Sequence, residues 1–407
     1  MENLFAKSVD DLGRVVKFSE KQLSLLQRVD RACEELLPFE FEYYVARKFN
    51  EKLPEILRRF DLMGIPVTEN YGGLGIDPLV YSLAMERLGQ VGMGPVTFLD
   101  VQSSLAELTI QEWGTETQKK GYLTPAAKGE KILAYALTEP EAGSDPASMS
   151  STYERQGGSF ILNGSKYLIS NGSIANTLIV FAYPKGKRAE MTAFLVDSDT
   201  EGFSVTMRLE EKIGLFTSDT ALLEFRDVHV PTENVLGPIG RGLPVAYSAL
   251  ANGRLGIGSG CIGVIEDCLN ASLERARERR QHGKEIGKHQ LIQKHIAEIA
   301  VNLEMARWPV YMAAQRKREF DESPSKEALR WEVDRMSATA KKIASRLAFE
   351  SADHALQIFG GFGYSIMSPI GRHFCDARVA RIYEGTDEIM ELKIASSLLG
   401  KEFEAYR

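Results

Sequence analysis

Ser159-Phe-Ile-Leu-Asn-Gly-Ser-Lys-Tyr-Leu-Ile-Ser170 is the run that sets the fold class. Two β-rich segments flank Asn163-Gly164, a dipeptide suited to the positive backbone angles of a two-residue hairpin turn. The reading is a hairpin, followed by further short strands over 177–183, 191–196, 203–207 and 221–230, the last ended by Pro231. No helical stretch separates them. Strands joined only by turns predict an antiparallel sandwich or barrel, not the strand–helix alternation of a parallel nucleotide-binding sheet.

Working outward, both flanks are helical. Residues 10–132 carry Leu23, Leu25, Leu26, Val29, Cys33, Leu36 and Leu37 at roughly helical spacing among charged residues. Pro66, Gly72, Gly73, Gly75 and Pro78 mark a loop. A second helix is expected over 79–88, and Gly92, Gly94 and Pro95 interrupt the pattern before 101–113 resumes it. Beyond the strands, long helical segments cover 244–280, 288–318, 325–360 and 387–400, joined by 283–287, 320–325 and 360–371. Four helices with short connections predict a bundle. The fold class is therefore α+β multidomain: an N-terminal α-helical domain (1–132), a middle antiparallel β-sandwich or barrel (133–242) and a C-terminal four-helix bundle (243–407).

The 407 residues suit two or three domains at about one per 150 residues. Hydrophobic residues make up 44% and charged residues 26%, the balance of an ordinary globular protein. A net charge of −7 provides no global field for nucleic acid, so no nucleic-acid partner is expected. Met1-Glu-Asn-Leu-Phe-Ala-Lys7 lacks the basic-then-apolar pattern of a secretory signal and the Arg and Ser richness of a transit peptide. No stretch approaches the roughly 18 apolar residues of a membrane span. The expectation is a cytoplasmic protein. Cys33, Cys261, Cys268 and Cys375 show no CxxC spacing and read as reduced, mostly buried thiols, with no metal site.

Gly258-Ser-Gly-Cys-Ile-Gly263 matches GxGxxG, but no convincing strand precedes it and a charged helix follows. Its glycines read as close helix packing. Other segments carry chemistry. In Arg381-Ile-Tyr-Glu-Gly-Thr-Asp-Glu388, Glu384 precedes a glycine that lets a ligand approach the backbone; the plain reading is a surface turn. In Tyr135-Ala-Leu-Thr-Glu-Pro-Glu-Ala-Gly-Ser-Asp145, Thr138, Ser144 and Asp145 either cap exposed amides or offer hydrogen bonds to a ring edge. Tyr167-Leu-Ile-Ser-Asn-Gly172 places another hydroxyl, Ser170. Arg275 to Lys284 reads as a solvated helix end. Gln357-Ile-Phe-Gly-Gly361 reads as a helix stopped by glycine.

Together these segments resemble the acyl-CoA dehydrogenase family over nearly the whole chain. The resemblance implies the same three-part fold, an FAD cofactor and a glutamate base, here Glu384. It places Tyr135, Leu137 and Thr138 along the flavin ring and Ser144 against flavin or acyl thioester. Ser170 keeps the flavin-edge hydroxyl, while Leu168 stands where the family has a tryptophan beside the electron acceptor. The arginine that holds the cofactor pyrophosphate across a subunit contact matches Arg279, followed by Gln281 and by His282 in place of phenylalanine; Gln290 matches a glutamine further on. Gln357, Gly360 and Gly361 match the turn that meets the adenosine half. Thr386 and Glu388 match cofactor-holding positions, with Glu388 where glutamine is common. Arg254 and Gly385 fall at the thioester pocket, Arg254 with an ion-pair role as the alternative.

The implied reaction is α,β-dehydrogenation of an acyl-CoA, in which Glu384 takes the α-proton and hydride leaves the β-carbon for flavin N5. Electron-transfer flavoprotein or another acceptor is the implied partner, and a dimer or tetramer the implied assembly. The motifs are closest to the glutaryl-CoA dehydrogenase branch, yet the position of its carboxylate-binding arginine is Val96. A buried carboxylate without a partner is costly, so a short or branched monocarboxylic acyl group is expected. Asp100 is expected to be solvated or capping, with a place facing the acyl pocket as the alternative. The alternatives are a dehydrogenase of carrier-protein thioesters and a flavin monooxygenase on the same fold.

Overall fold

The spacing of Leu25, Leu26, Val29, Cys33 and Leu36 builds α1 (Glu20–Ala46) and buries that stripe, leaving Leu23 and Leu37 exposed. The computed structural model of the chain describes residues 17–403; the start of the expected helical region lies outside them. Helices α2 (Lys52–Arg59) and α3 (Pro78–Val91) follow, with the Asp77 carboxylate capping α3. The expected break over 92–95 narrows to Gly92. Helix α4 (Met93–Leu99) starts at once, with Gly94 and Pro95 in its first turn, where a missing N–H leaves no helical bond unmade. The chain then widens into a π-helical segment (Asp100–Glu107) before α5 (Leu108–Trp113). The extra residue per turn moves side chains off the regular stripe.

The middle region is an eight-stranded sheet in the order β6-β7-β3-β2-β4-β5-β8, with β1 also on β4. Its strands are β1 (Leu133–Ala136), β2 (Thr152–Gln156), β3 (Ser159–Ser170), β4 (Thr177–Pro184), β5 (Thr192–Asp197), β6 (Phe203–Arg208), β7 (Thr220–Pro231) and β8 (Val235–Leu236). Asn163-Gly164 is not a hairpin turn. It lies inside the single strand β3, both halves of which pair with β7. The register shifts between Leu162 and Gly164, and the Asn163 amide exchanges hydrogen bonds with Asp227 at 3.0 and 2.9 Å. A long partner strand turned a local turn signal into a bulge. Pairing is mainly antiparallel, but β1 and β2 both run parallel to β4.

The C-terminal region holds the four expected helices: α6 (Gly242–Glu278), α7 (Gln290–Glu322), α8 (Lys326–Phe359) and α10 (Asp387–Leu399). A fifth, α9 (Pro369–Val379), occupies what reads as connection; Ser368 caps it and Pro369 opens it. Between α6 and α7, the basic stretch forms a two-stranded hairpin (Arg280–Gln281, Lys284–Glu285). No helix among the described residues is long and apolar enough to cross a membrane, and they contain no metal-ligating cluster.

Gly258, Gly260 and Gly263 sit in mid-helix on α6. A Cβ on Gly263 would meet the Glu86 carbonyl of α3, and one on Gly89 of α3 would meet the Gly260 carbonyl. The motif is a backbone-to-backbone contact between helices. Gly263→Ala is therefore expected to cost about 1–3 kcal/mol by overpacking, read as a lower thermal midpoint. Gly121→Ala, into open space, should leave the midpoint unchanged.

Candidate active site

Glu384 and Gly385 take left-handed backbone angles, φ 57° and 96°, and so reverse the chain between α9 and α10. A non-glycine residue there is disfavoured and persists only when its surroundings hold it. They do: Arg254 Nε of α6 donates to the Glu384 carbonyl at 3.3 Å, and Lys341 Nζ of α8 donates to the Gly385 carbonyl at 2.7 Å. Arg254 is itself paired with Asp334 at 2.6 Å, which also takes Lys393 at 2.8 Å. Arg254 thus makes the ion pair of its alternative reading, and the same guanidinium adjoins the Glu384 turn. Thr386 caps α10 by accepting from the Ile389 N–H.

The Glu384 carboxyl points inward, and its Oε2 is sealed from solvent. Room for it exists because position 253 on α6 is glycine; a Cβ there would overlap the carboxyl. Burial pushes the Glu384 carboxyl up to about 7, against the opposing pulls of Asp100, Arg254 and Lys341. Asp100 is neither solvated nor a cap. The π-helical segment turns it inward, where it is fully buried beside Glu384. The two carboxyls are the charged groups lining a cavity of about 130 Å³ whose other walls include Val101, Leu105, Leu137, Leu250 and Ile257. Val96 does not line it; its side chain packs on Gly260.

A cleft of about 480 Å³ opens outside this cavity, between the sheet and the α9–α10 turn. Thr138, Ser144, Leu168, Ser170, Gly385 and Thr386 line it. A second register shift in β3, between Lys166 and Ile169, and φ 57° at Leu168 turn Leu168 outward into the cleft wall. The buried Lys166 ammonium ties β3 to the adjoining 137–139 segment, donating to the Leu137 carbonyl at 3.2 Å and to Glu139 at 2.8 Å. The Thr138, Ser144 and Ser170 hydroxyls make no hydrogen bond to another described residue, whereas Asp145 caps the Ala147 N–H. A mainly apolar cleft edged by free hydroxyls fits a flavin ring. Tyr135 and Leu137 lie deeper, on the 130 Å³ cavity, with the Tyr135 hydroxyl on the Ala246 carbonyl.

Arg279, Gln281, His282, Gln290, Gln357, Gly360 and Gly361 do not join this cleft. All are exposed, at the end of the helical bundle where Arg275 lies over the Phe359 ring and His295 meets His354. Glu388 is exposed on the first turn of α10, its carboxyl held below the usual range by the helix N-terminus and Thr386. A separate cavity of about 590 Å³ lies near α7, where Lys317 pairs with Asp321 and Arg318 with Glu322.

Family models match all three regions: the N-terminal (19–130), middle (134–228) and C-terminal (240–399) domains of acyl-CoA dehydrogenase. A short-chain-specific acyl-CoA dehydrogenase of Clostridium acetobutylicum is 36% identical over 90% of this chain and 94% of its own. The butyryl-CoA dehydrogenase of Megasphaera elsdenii superposes with a TM-score of 0.88 at 35% identity, over 95% of this chain and 100% of that one. A Mycobacterium smegmatis glutaryl-CoA dehydrogenase in complex with FADH2 gives 0.87 at 27% identity, over 96% and 97%. The family's enzymes are FAD oxidoreductases. With three consecutive domains matched and a full-length fold shared, the chain belongs to the acyl-CoA dehydrogenase family.

Proposed function

We propose that this chain is an FAD-dependent dehydrogenase of a short or branched, monocarboxylic acyl-CoA. The observation that carries the reading is Glu384, a carboxyl with Oε2 sealed from solvent on a clamped turn, facing a small apolar cavity at the foot of a hydroxyl-edged cleft. An acyl α-carbon in that cavity meets Glu384 as general base. The Glu384 backbone N–H, which bonds no described residue, is placed to stabilise the enolate-like thioester oxygen. Thr138, Ser144, Ser170 and Thr386 would hold the flavin half of FAD, and bound FAD supplies the hydride acceptor. A cavity of about 150 Å³ holds benzene, so about 130 Å³ suits an acyl group of a few carbons. With two acids and no cation on its lining, it disfavours a dicarboxylic acyl group such as glutaryl.

Exposed Leu168 at the cleft mouth supports an approach from that side by electron-transfer flavoprotein or, since leucine replaces the family's tryptophan, by another acceptor. Val301, Met305, Trp308 and Met312 form one exposed apolar stripe along α7. That stripe, with the seven cofactor-matching residues exposed at the end of the helical bundle, supports a homodimer or homotetramer in which a second copy completes the FAD site. A cytoplasmic location fits four unpaired cysteines.

Glu384→Gln should retain FAD and lose flavin reduction by butyryl-CoA about 10²–10⁴-fold; wild-type rates would remove Glu384 from the chemistry. Because the base must be ionised and its carboxyl sits at about 7, kcat/KM should rise with pH and level off above that value. A pH-independent profile would contradict the assignment. Trp308→Glu should lower the mass found by light scattering and weaken FAD retention; a wild-type-sized assembly with full FAD would argue against the α7 interface.

A further inference from the structure

The acyl cavity contains two carboxyl groups, and the chemistry above uses one. Asp100 begins the π-helical segment, is fully buried and lines the cavity beside Glu384. Its place depends on a second glycine of α6. Gly253 and Gly256 lie one turn apart on one helix face; a Cβ on the first would overlap the Glu384 carboxyl and a Cβ on the second would overlap Asp100 Oδ1. These two notches seat the carboxyls within hydrogen-bonding range of each other. Glu384 Oε2 meets no donor from another described residue, and Ser104, the one hydroxyl close to Asp100, gives its proton to the Tyr81 oxygen at 3.0 Å, so it leaves the Asp100 oxygens unsatisfied. Two carboxylates in contact inside an apolar cavity cannot both stay ionised. A single proton between them removes the repulsion and supplies the missing donor.

We propose that Asp100 is a positioning residue that keeps this proton and donates it in a hydrogen bond to the Glu384 carboxylate, holding the base ionised and aimed into the cavity. The surrounding charges favour that placement. Arg254 of α6 and Lys341 of α8 act on Glu384. Around Asp100 stand Glu384, Tyr81 of α3, Tyr383 and Ser104, whose hydroxyl donates to Tyr81 at 3.0 Å. Asp334 is paired with Arg254 and Lys393, and Asp387 with Arg381; Tyr135 of β1 is neutral. Burial, then the Glu384 charge, push the Asp100 carboxyl well above the usual carboxylate range. In turnover Asp100 keeps its own proton while Glu384 gains the one leaving the α-carbon.

The proposal rests on the dehydrogenase reading, and its test separates the two. The anaerobic rate of flavin reduction by butyryl-CoA is followed against pH in wild type, Asp100→Asn and Asp100→Leu holoenzymes. Asparagine keeps an N–H donor and cannot titrate; leucine keeps the branching and heavy-atom number, with bulkier methyl groups, and removes the donor. The acid limb is expected to stay within about half a pH unit in Asp100→Asn and to rise by about one unit or more in Asp100→Leu. A limb that falls by about a unit in Asp100→Asn shows an ionised Asp100 and overturns the proposal. So does an unmoved limb in Asp100→Leu. Independently of substrate, the infrared difference between wild type and Asp100→Asn at about pH 8 should contain a carboxylic-acid C=O band. Its absence overturns the proposal; its presence without reduction by any acyl-CoA supports the shared proton and counts against the dehydrogenase reading alone.

Discussion

Two buried cations hold one short turn, and the site depends on that grip. Arg254 and Lys341, from two long helices of the bundle, take the carbonyls of Glu384 and Gly385. Left-handed angles at adjacent residues would otherwise relax. Removing either cation would orphan a carbonyl and, for Arg254, leave the Asp334 carboxylate with Lys393 alone. The cost of such an orphan is about 1–3 kcal/mol, comparable with the strain the turn carries. The bundle therefore does more than enclose a core. It fixes the direction of one carboxyl.

Close packing supplies the rest of the geometry. Glycines on α6 do two different jobs at two heights of one helix face. Gly260 and Gly263 bring the α3 backbone against α6, while Gly253 and Gly256 leave space for Glu384 and Asp100. One helix thus sets the distance of the N-terminal helices and the depth of the acyl cavity. The sheet answers from the other side. Bulges in β3 and the Lys166 tether shape the cleft wall, so that Leu168, Thr138 and Ser170 share one opening.

Much of this is legible in the chain. Helical spacing locates α1 and the long bundle helices, because their buried stripes are many residues long. The Glu384-Gly385 turn is a weak signal by itself, a surface turn on its plain reading, and stands out only beside the 135–145 segment that carries the family resemblance with it. Local signals fail where a distant partner decides. Asn163-Gly164 reads as a turn until β7 pairs with both halves of β3. Pro95 reads as a break until it falls in a first helical turn. The α9 helix hides in a glycine-rich stretch, though Ser368-Pro369 is a start signal. Asp100 is only half legible, because facing the pocket is the lesser of its two readings in the sequence. An acid between Phe98-Leu99 and Val101 inside a helix is itself a signal of burial, but the π-helical turn that aims it at Glu384 has no simple sequence pattern. Lys341 and Asp334, spread along α8, are equally silent until the bundle assembles.

The most direct test is anaerobic titration of the purified FAD-loaded protein with butyryl-CoA, followed by the visible flavin spectrum. The account predicts bleaching of the flavin band by butyryl-CoA and little or none by glutaryl-CoA. A bound flavin that no short acyl-CoA reduces would contradict it.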